Sequence, residues 1–321
     1  MSNFNQYVID LADADTLESF YLSQTSTETG FVQLSAGPAV LSARSLDLGP
    51  LRVLQVSGDG RHLWIDNMVG EEWRFALMVS AEGPSKIGHS AIEKTTGHLL
   101  RPGETAELST HGRYTTLEFS FDETVPMQLG WNCAAGQTAR IEHNVATALR
   151  QSAGTAFSQA VRDADETGVM NSKAHWLEIF LDLIERALEP WLAPDGVADP
   201  EHSPSGSAIV VRKAHTLLID PDYAINANAD LLASKVGVSR RSLFLAFQKE
   251  YGIGPRKFRE LVRLNALRAG LFRSTPDVTS VTVLAHEHGF SELGRMAARY
   301  QNLFGELPSE TLKRKPRQRA T

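Results

Sequence analysis

Arg240 and Arg241 stand side by side, and Arg295 and Arg299 stand four residues apart, in the last hundred residues of a 321-residue chain. Two arginines four apart on a helix share one face. A guanidinium there can bind a guanine edge through two hydrogen bonds or clamp a phosphate. Both pairs belong to a phrase written twice, DLLASKVGVSRRSLF from Asp230 to Phe244 and SVTVLAHEHGFSELGR from Ser280 to Arg295. In each, a short helix runs into a glycine, an apolar residue plugs the corner, and a serine stands where an arginine-bearing helix begins. Two such phrases about fifty residues apart point to one polypeptide that reads two turns of DNA.

In the first phrase Leu231, Leu232 and Val236 lie on the support helix. Gly237 supplies the left-handed turn, Val238 the plug, and Ser239 the N-cap. Leu243 and Phe247 should face the core, which leaves Arg240, Arg241, Phe244, Leu245 and Gln248 pointing outward. Phe244 or Leu245 suits a thymine methyl. In the second, Val281, Leu284 and Ala285 form the support helix, Gly289 the turn, Phe290 the plug and Ser291 the cap. Met296, Tyr300 and Leu303 should face inward, and Arg295 and Arg299 outward. Between the phrases, Pro255 to Phe272 reads as one helix with proline in its first turn. Eighteen residues span roughly 27 Å at ~1.5 Å each, close to the ~34 Å between successive major-groove faces.

Charge is divided along the chain. Residues 205–321 hold 19 Lys and Arg against 10 Asp and Glu, a balance of +9. Residues 1–204 hold 13 against 28, a balance of −15. A basic rear half beside an acidic front half suits one polyanion-binding domain and one that stays off the polyanion. The length calls for two domains, and the segment 193–206, rich in Pro, Gly, Ser and Asp, reads as the linker between residues 1–192 and 207–321. The tail at 313–319 reads as a frayed basic end.

The front half changes texture along its length. From about Phe31 to Phe121 short strands alternate with turns at Gly58–Gly60 and Arg101–Glu104. Trp73–Val79 is a strongly apolar run, and Tyr114–Phe121 partly alternates. Many short strands suggest a small barrel or sandwich. From about Gln137 to Trp191 the pattern is helical. Trp176, Ile179, Phe180, Leu183, Ile184, Ala187 and Leu188 form one stripe, which suits either packing on the barrel or pairing with a second copy.

Enzyme chemistry finds little support. Cys133 is the single cysteine, so no disulfide framework or cysteine zinc site exists, and it has no obvious activating partner. His62, His89, His98 and His111, with Glu93 and Glu104, lack the close His-x-His spacing of a metal-binding barrel. His286 and His288 have that spacing, but residues two apart on a helix face different sides. We expect no cofactor and no metal. No apolar run approaches the ~20 residues of a membrane span, and the acidic start lacks a basic-then-apolar signal pattern, so a reducing cytoplasm is the expected home.

The segment from about Ser207 to Leu312 resembles the AraC/XylS family of bacterial transcription regulators. The likeness rests on Gly289-Phe290, on Phe304-Gly305 and Pro308-Ser309, on Gly252 to Pro255, and on RLNAL at 263–267. It implies an all-α DNA-binding domain with two helix-turn-helix motifs gripping adjacent major grooves. By position, the groove-facing residues are Arg241, Phe244 and Leu245, then Gly294, Arg295 and Ala298. Leu245 and Ala298 stand where many relatives keep an arginine; Arg299 is placed to compensate for Ala298. The run from His288 to Met296 is similar to a subgroup with a cupin-like front barrel. The resemblance further implies an N-terminal domain that senses a small molecule, dimerises, or both. An α+β, two-domain architecture follows. Trp64, Trp73, Phe75 and Met78, with Trp131, are candidates to line a cavity for an apolar or aromatic effector. Arg44 and Arg52 are candidates for an effector carboxylate. The expected role is an effector-responsive activator of a catabolic operon, a homodimer on double-stranded DNA that engages RNA polymerase in the bacterial nucleoid. The rival readings are a constitutive architectural DNA binder whose barrel only dimerises, and a cupin enzyme fused to a DNA module.

Overall fold

The computed structural model describes residues 3–11, 13–37, 40–88, 90–131, 133, 138–166, 172–192, 206–218 and 221–314. The chain opens with strand β1 (Phe4–Asp10), helix α1 (Ala14–Thr25) and strand β2 (Thr27–Gln33). Strands β3 (Val40–Asp47), β4 (Leu51–Asp59), β5 (His62–Met68) and β6 (Trp73–Ala81) follow. After them come β7 (Lys86–Ile87), β8 (Ser90–Ala91), β9 (Thr96–Leu100), β10 (Thr105–Thr110) and β11 (Arg113–Phe121). Helix α2 (Thr124–Leu129), strand β12 (Thr138–Arg140) and helices α3 (His143–Glu166), α4 (Lys173–Ala187) and α5 (Glu189–Leu192) complete the front half.

These strands form two antiparallel sheets among the described residues, one ordered β1-β3-β4-β11-β6-β9-β12 and the other β2-β5-β10-β7-β8. No closed barrel is found; the front domain is β-rich, with two facing sheets. Strand β11 shows why. Leu117, Phe119 and Phe121 enter a core with α3 and α4, while Thr116 and Glu118, on the opposite side of the pleat, line a cavity between the sheets. Both faces are covered, so almost the whole strand is buried. Strand β12 lies in a region expected to be helical; Thr138 to Arg140 instead pair with β9. Strand β1 and helix α1 precede the span in which strands were expected. Asp13 caps α1 by accepting from the Thr16 amide at 3.0 Å.

The apolar stripe of α4 is used inside its own chain. Trp176, Phe180, Ile184 and Ala187 are buried. The Phe180 ring lies 5.5 Å from that of Phe119 on β11, and Trp176 Nε1 donates to Gln159 Oε1 on α3 at 3.2 Å.

The rear half is all helix among the described residues: α6 (Gly206–Leu218), α7 (Pro221–Asn226), α8 (Ala229–Val236), α9 (Arg240–Tyr251), α10 (Pro255–Arg273), α11 (Val281–Glu287), α12 (Leu293–Phe304) and α13 (Pro308–Lys313). The expected linker lies outside the described residues except for Gly206, which opens α6. The basic tail lies outside them beyond Arg314. No described helix is long and apolar enough to cross a membrane.

The two halves share a seam. Val32, Leu34 and Leu63 of the front sheets pack into the core of the rear domain. The side-chain amide of Asn265 on α10 takes the place of a neighbouring strand beside β2: its Oδ1 accepts from the Gln33 amide at 2.9 Å, and its Nδ2 donates to the Gln33 carbonyl at 3.1 Å. Around this pair, Arg268 meets Glu306 at 3.0 Å and Asp10 at 3.8 Å, and Arg273 meets Asp15 at 2.7 Å.

Candidate nucleic-acid interface and internal cavity

The first helix pair is built as its residue types require. Asn228 caps α8 by accepting from the Asp230 and Leu231 amides. Gly237 turns the chain with φ +81°, a conformation in which a side chain would be strained. Ser239 caps α9, its hydroxyl accepting from the Ser242 amide at 3.0 Å. Leu243, Ala246, Phe247 and Tyr251 are buried along one side of α9. Arg240, Arg241, Phe244, Leu245 and Gln248 are exposed on the other. Phe244 and Leu245 are 51% and 54% exposed, an apolar pair offered to solvent beside two cations.

The second pair repeats the plan with one change. Gly289 has φ +73°, Phe290 is buried at the corner, and Met296, Tyr300 and Leu303 face inward from α12. Gly294, Arg295, Ala298 and Arg299 are exposed. The expected cap at Ser291 is not formed. Glu292 occupies the N-cap position, and no side chain caps the helix. The Glu292 carboxylate is engaged elsewhere, 2.6 Å from Arg295 Nη1.

Acidic partners hold three of the four arginines. Arg240 lies 3.3 Å from Asp230, Arg295 pairs with Glu292, and Arg299 lies 2.8 Å from Glu260 on α10. Arg241 forms no ion pair with a described residue. The exposed pairs of Arg240 and Arg295 are each worth about 0–1 kcal/mol, so a phosphate can displace the carboxylate there at small cost. Helix α10 joins the two pairs. Its nineteen residues correspond to roughly 28 Å at ~1.5 Å each, and Phe258, Leu261, Leu264, Leu267 and Leu271 bury its inner side.

The cavity between the sheets has a volume of about 40 Å³. Of the five residues expected to line it, only Met78 does. Trp64 packs against Phe31 and Tyr21, at ring distances of 4.7 and 6.1 Å. Phe75 lies on the far face of β6, 6.2 Å from Phe119 and 6.3 Å from Trp191, and Trp73 packs on the same core. Trp131 belongs to that core too, 5.7 Å from Phe121. Arg44 donates to Gln55 and lies over the Phe157 ring, and Arg52 pairs with Glu72, so neither faces the cavity.

The polar lining was not anticipated: Asp66, Arg74, Thr96, His98, Thr116 and Glu118. Arg74 Nη2 donates to Asp66 Oδ2 at 2.6 Å, and Glu118 Oε2 lies 3.6 Å from Arg74 Nη1. Burial works against the Arg74 charge, but Asp66 and Glu118 outweigh it and raise its pKa. Burial pushes the Glu118 carboxyl up. Burial lowers His98 to about 3, with Arg74 adding to the effect, and His62 to about 4. Both imidazoles are therefore neutral at pH 7. Cys133 is raised to about 11 by burial, the opposite of what a nucleophile needs. Among the described residues no group of three His, Cys, Asp or Glu side chains could hold a metal ion.

Strand β10 touches both the cavity and the rear domain. Ala106 and Leu108 line the cavity. Between them, Glu107 turns outward, accepting from Tyr251 Oη at 2.6 Å and lying 3.5 Å from His215 Nδ1. Strand β7 divides likewise: Ile87 lines the cavity, and Lys86 lies 3.1 Å from Glu250 at the end of α9.

A family model described as a helix-turn-helix domain matches residues 232–314. A solved structure from Rhodopseudomonas palustris, described as a probable AraC family transcriptional regulator, is 36% identical. The match covers 94% of that chain and 32% of this one, with a TM-score of 0.30. The chain belongs to the AraC family. The XylDLEGF operon transcriptional activator 1 of Pseudomonas putida is 37% identical over 97 residues, 30% of this chain and 29% of the relative. A probable thc operon regulatory protein of Rhodococcus erythropolis is 39% identical over 85 residues, 26% of each. The chain thus matches less than a third of the length of these curated relatives, which are transcriptional regulators rather than enzymes.

Proposed function

We propose that this AraC-family chain is a sequence-specific DNA-binding regulator of transcription that reads two adjacent major grooves with α9 and α12. The exposed side of those helices carries the reading: Arg240, Arg241, Phe244, Leu245 and Gln248 on one, and Gly294, Arg295, Ala298 and Arg299 on the other, all left open by the front domain. Arginines supply base and phosphate contacts, and Phe244 and Leu245 supply a surface for thymine methyls. The relatives named for operon activation favour an activator of a catabolic operon, acting in the bacterial cytoplasm as a homodimer beside RNA polymerase. Residues 1–192 would sense and dimerise, in a domain of cupin-like descent, and residues 207–321 would bind DNA.

Effector response would run through β10 and β7. A ligand that fills the cavity presses on Ala106, Leu108 and Ile87. The same short strands carry Glu107 and Lys86 to the end of α9. A shift of either strand therefore changes how α9 is held, which is the differential contact that coupling between two sites requires.

Genome-wide mapping of bound sites, with and without candidate metabolites, tests the reading. Discrete sites with repeated half-sites beside catabolic genes, and occupancy or promoter output that changes with a metabolite, are expected. Sites that exist but never respond would mark a constitutive architectural binder. A purified chain with no preference among oligonucleotides at moderate ionic strength would end the regulator reading altogether.

A further inference from the structure

The cavity between the sheets contains two carboxylates and one guanidinium. Arg74 Nη2 is bound to Asp66 at 2.6 Å while its Nε is buried without an acceptor, and the other Asp66 oxygen accepts from Thr29 Oγ1 at 3.1 Å. Glu118 Oε1 accepts from Thr116 Oγ1 at 3.2 Å. Its Oε2 is buried with no hydrogen-bond donor, and its 3.6 Å separation from Arg74 is too long to supply one. His98 Nε2, on the same wall, is also buried and unpartnered. A buried acceptor left without a donor costs about 1–3 kcal/mol, more for a charged group, and native interiors rarely leave one unexplained. The rest of the wall is apolar: Leu77, Met78, Ile87, Ile92 and Leu108.

A carboxylate ligand is a poor match. It would add a third negative charge beside Asp66 and Glu118, which already outnumber Arg74, the single cation of the wall. An uncharged aromatic ring would satisfy none of these orphaned atoms, and at about 40 Å³ the space is too small for one. With about 10–15 Å³ needed per water-sized group, it takes about three or four such groups. We propose that the cavity is a binding site for a small primary amine, its ammonium donating to Glu118 Oε2 and its short alkyl chain lying along Ile87, Ile92 and Leu108. This rests on the reading of the front domain as a sensor and names the ligand class for it.

The test uses the full chain and three probes that share a three-carbon chain: n-propylamine, n-propanol and propionate. Calorimetry at pH 7.5 should show propylamine binding and raising the melting temperature, with propionate inert and propanol at least tenfold weaker. Glu118→Gln keeps the shape and should weaken propylamine at least tenfold without lowering the melting temperature of the free protein. Ile92→Phe, which fills the alkyl side, should abolish uptake while leaving Glu118 in place, and serves if Glu118→Gln does not fold. Propionate binding in the cavity, propylamine binding unchanged in both variants, or no response to any probe would each overturn the amine site. Operator binding, measured alongside by fluorescence anisotropy, separates the two readings. A chain that binds DNA but ignores propylamine loses the ligand class and keeps the regulator. A chain that takes up propylamine through Glu118 but binds no DNA keeps the site and loses the regulator.

Discussion

The reading surface and the cavity use the same side-chain chemistry in opposite surroundings. On α9 and α12 the arginines are exposed; Asp230 and Glu292 sit beside two of them in water, and the partly buried Glu260 sits beside the third. In the cavity Arg74 is sealed between two sheets, with Asp66 in contact and Glu118 a little too far to bond. An exposed pair is a loose placeholder that a polyanion can replace, because high dielectric and side-chain entropy leave it little net stability. A buried pair is fixed, since separating it strands a charge in a poor solvent. One region is therefore suited to exchanging partners, and the other to waiting for a partner of the right charge.

The largest effect expected from this contrast is on acid stability. The buried imidazoles of His98 and His62 titrate near 3 and 4, below their unfolded value near 6.5. The folded state thus takes up fewer protons, so their stabilisation is complete above pH 6.5 and is lost as pH falls. At pH 5 each costs on the order of 2 kcal/mol. Urea unfolding at pH 7.5 and 5.0 should show a drop that shrinks by about that much in His98→Gln and again in His62→Gln; drops of equal size in all three proteins would contradict the buried neutral state. On the reading surface, Arg241→Ala should weaken operator binding by about 1–3 kcal/mol and relax one base position. Loss that is uniform over all sequences would make Arg241 a phosphate contact instead. The two caps should separate next: Ser239→Ala is expected to cost about 1 kcal/mol of stability, because it removes a real cap. Ser291→Ala should change stability by less than about 0.5 kcal/mol, as a surface change that removes no cap does. Smallest is release of a placeholder. Glu292→Gln frees Arg295 and should tighten operator binding a few-fold at low salt, an effect that shrinks as ionic strength rises; unchanged or weaker binding would show that the pair is not displaced.

The rear domain was readable from the sequence because its information is local. A glycine needing positive φ, a serine before a helix and apolar residues at three and four apart each act within a dozen residues. Gly237, Ser239, Leu243 and Phe247 all take the structural parts their types suggest. Ser291 stands at the same two-residue offset from its glycine as Ser239 does, yet Glu292 takes the N-cap position of α12, so the local pattern alone did not decide this cap. The cavity was not readable because its lining comes from β5, β6, β7, β9, β10 and β11, brought together by long-range pairing. A signal existed all the same: Arg74 is the one charged residue of β6, Asp66 is the one carboxylate of β5, and Glu118 lies inside the otherwise apolar and hydroxylic run Tyr114–Phe121 of β11. A charge in such a strand must either face water or find company inside. The tryptophans and Phe75 misled because size and apolarity mark core, and core has two sides here, one against helices and one against the cavity.

Asn265 gives the seam a second meaning. Strand β2 is the outer strand of its sheet, and Gln33 would leave its main-chain groups bare were it not for that one side-chain amide. Bare strand margins recruit other chains. Keeping the two halves together therefore also protects solubility, and a front domain expressed without α10 would be prone to self-association along β2.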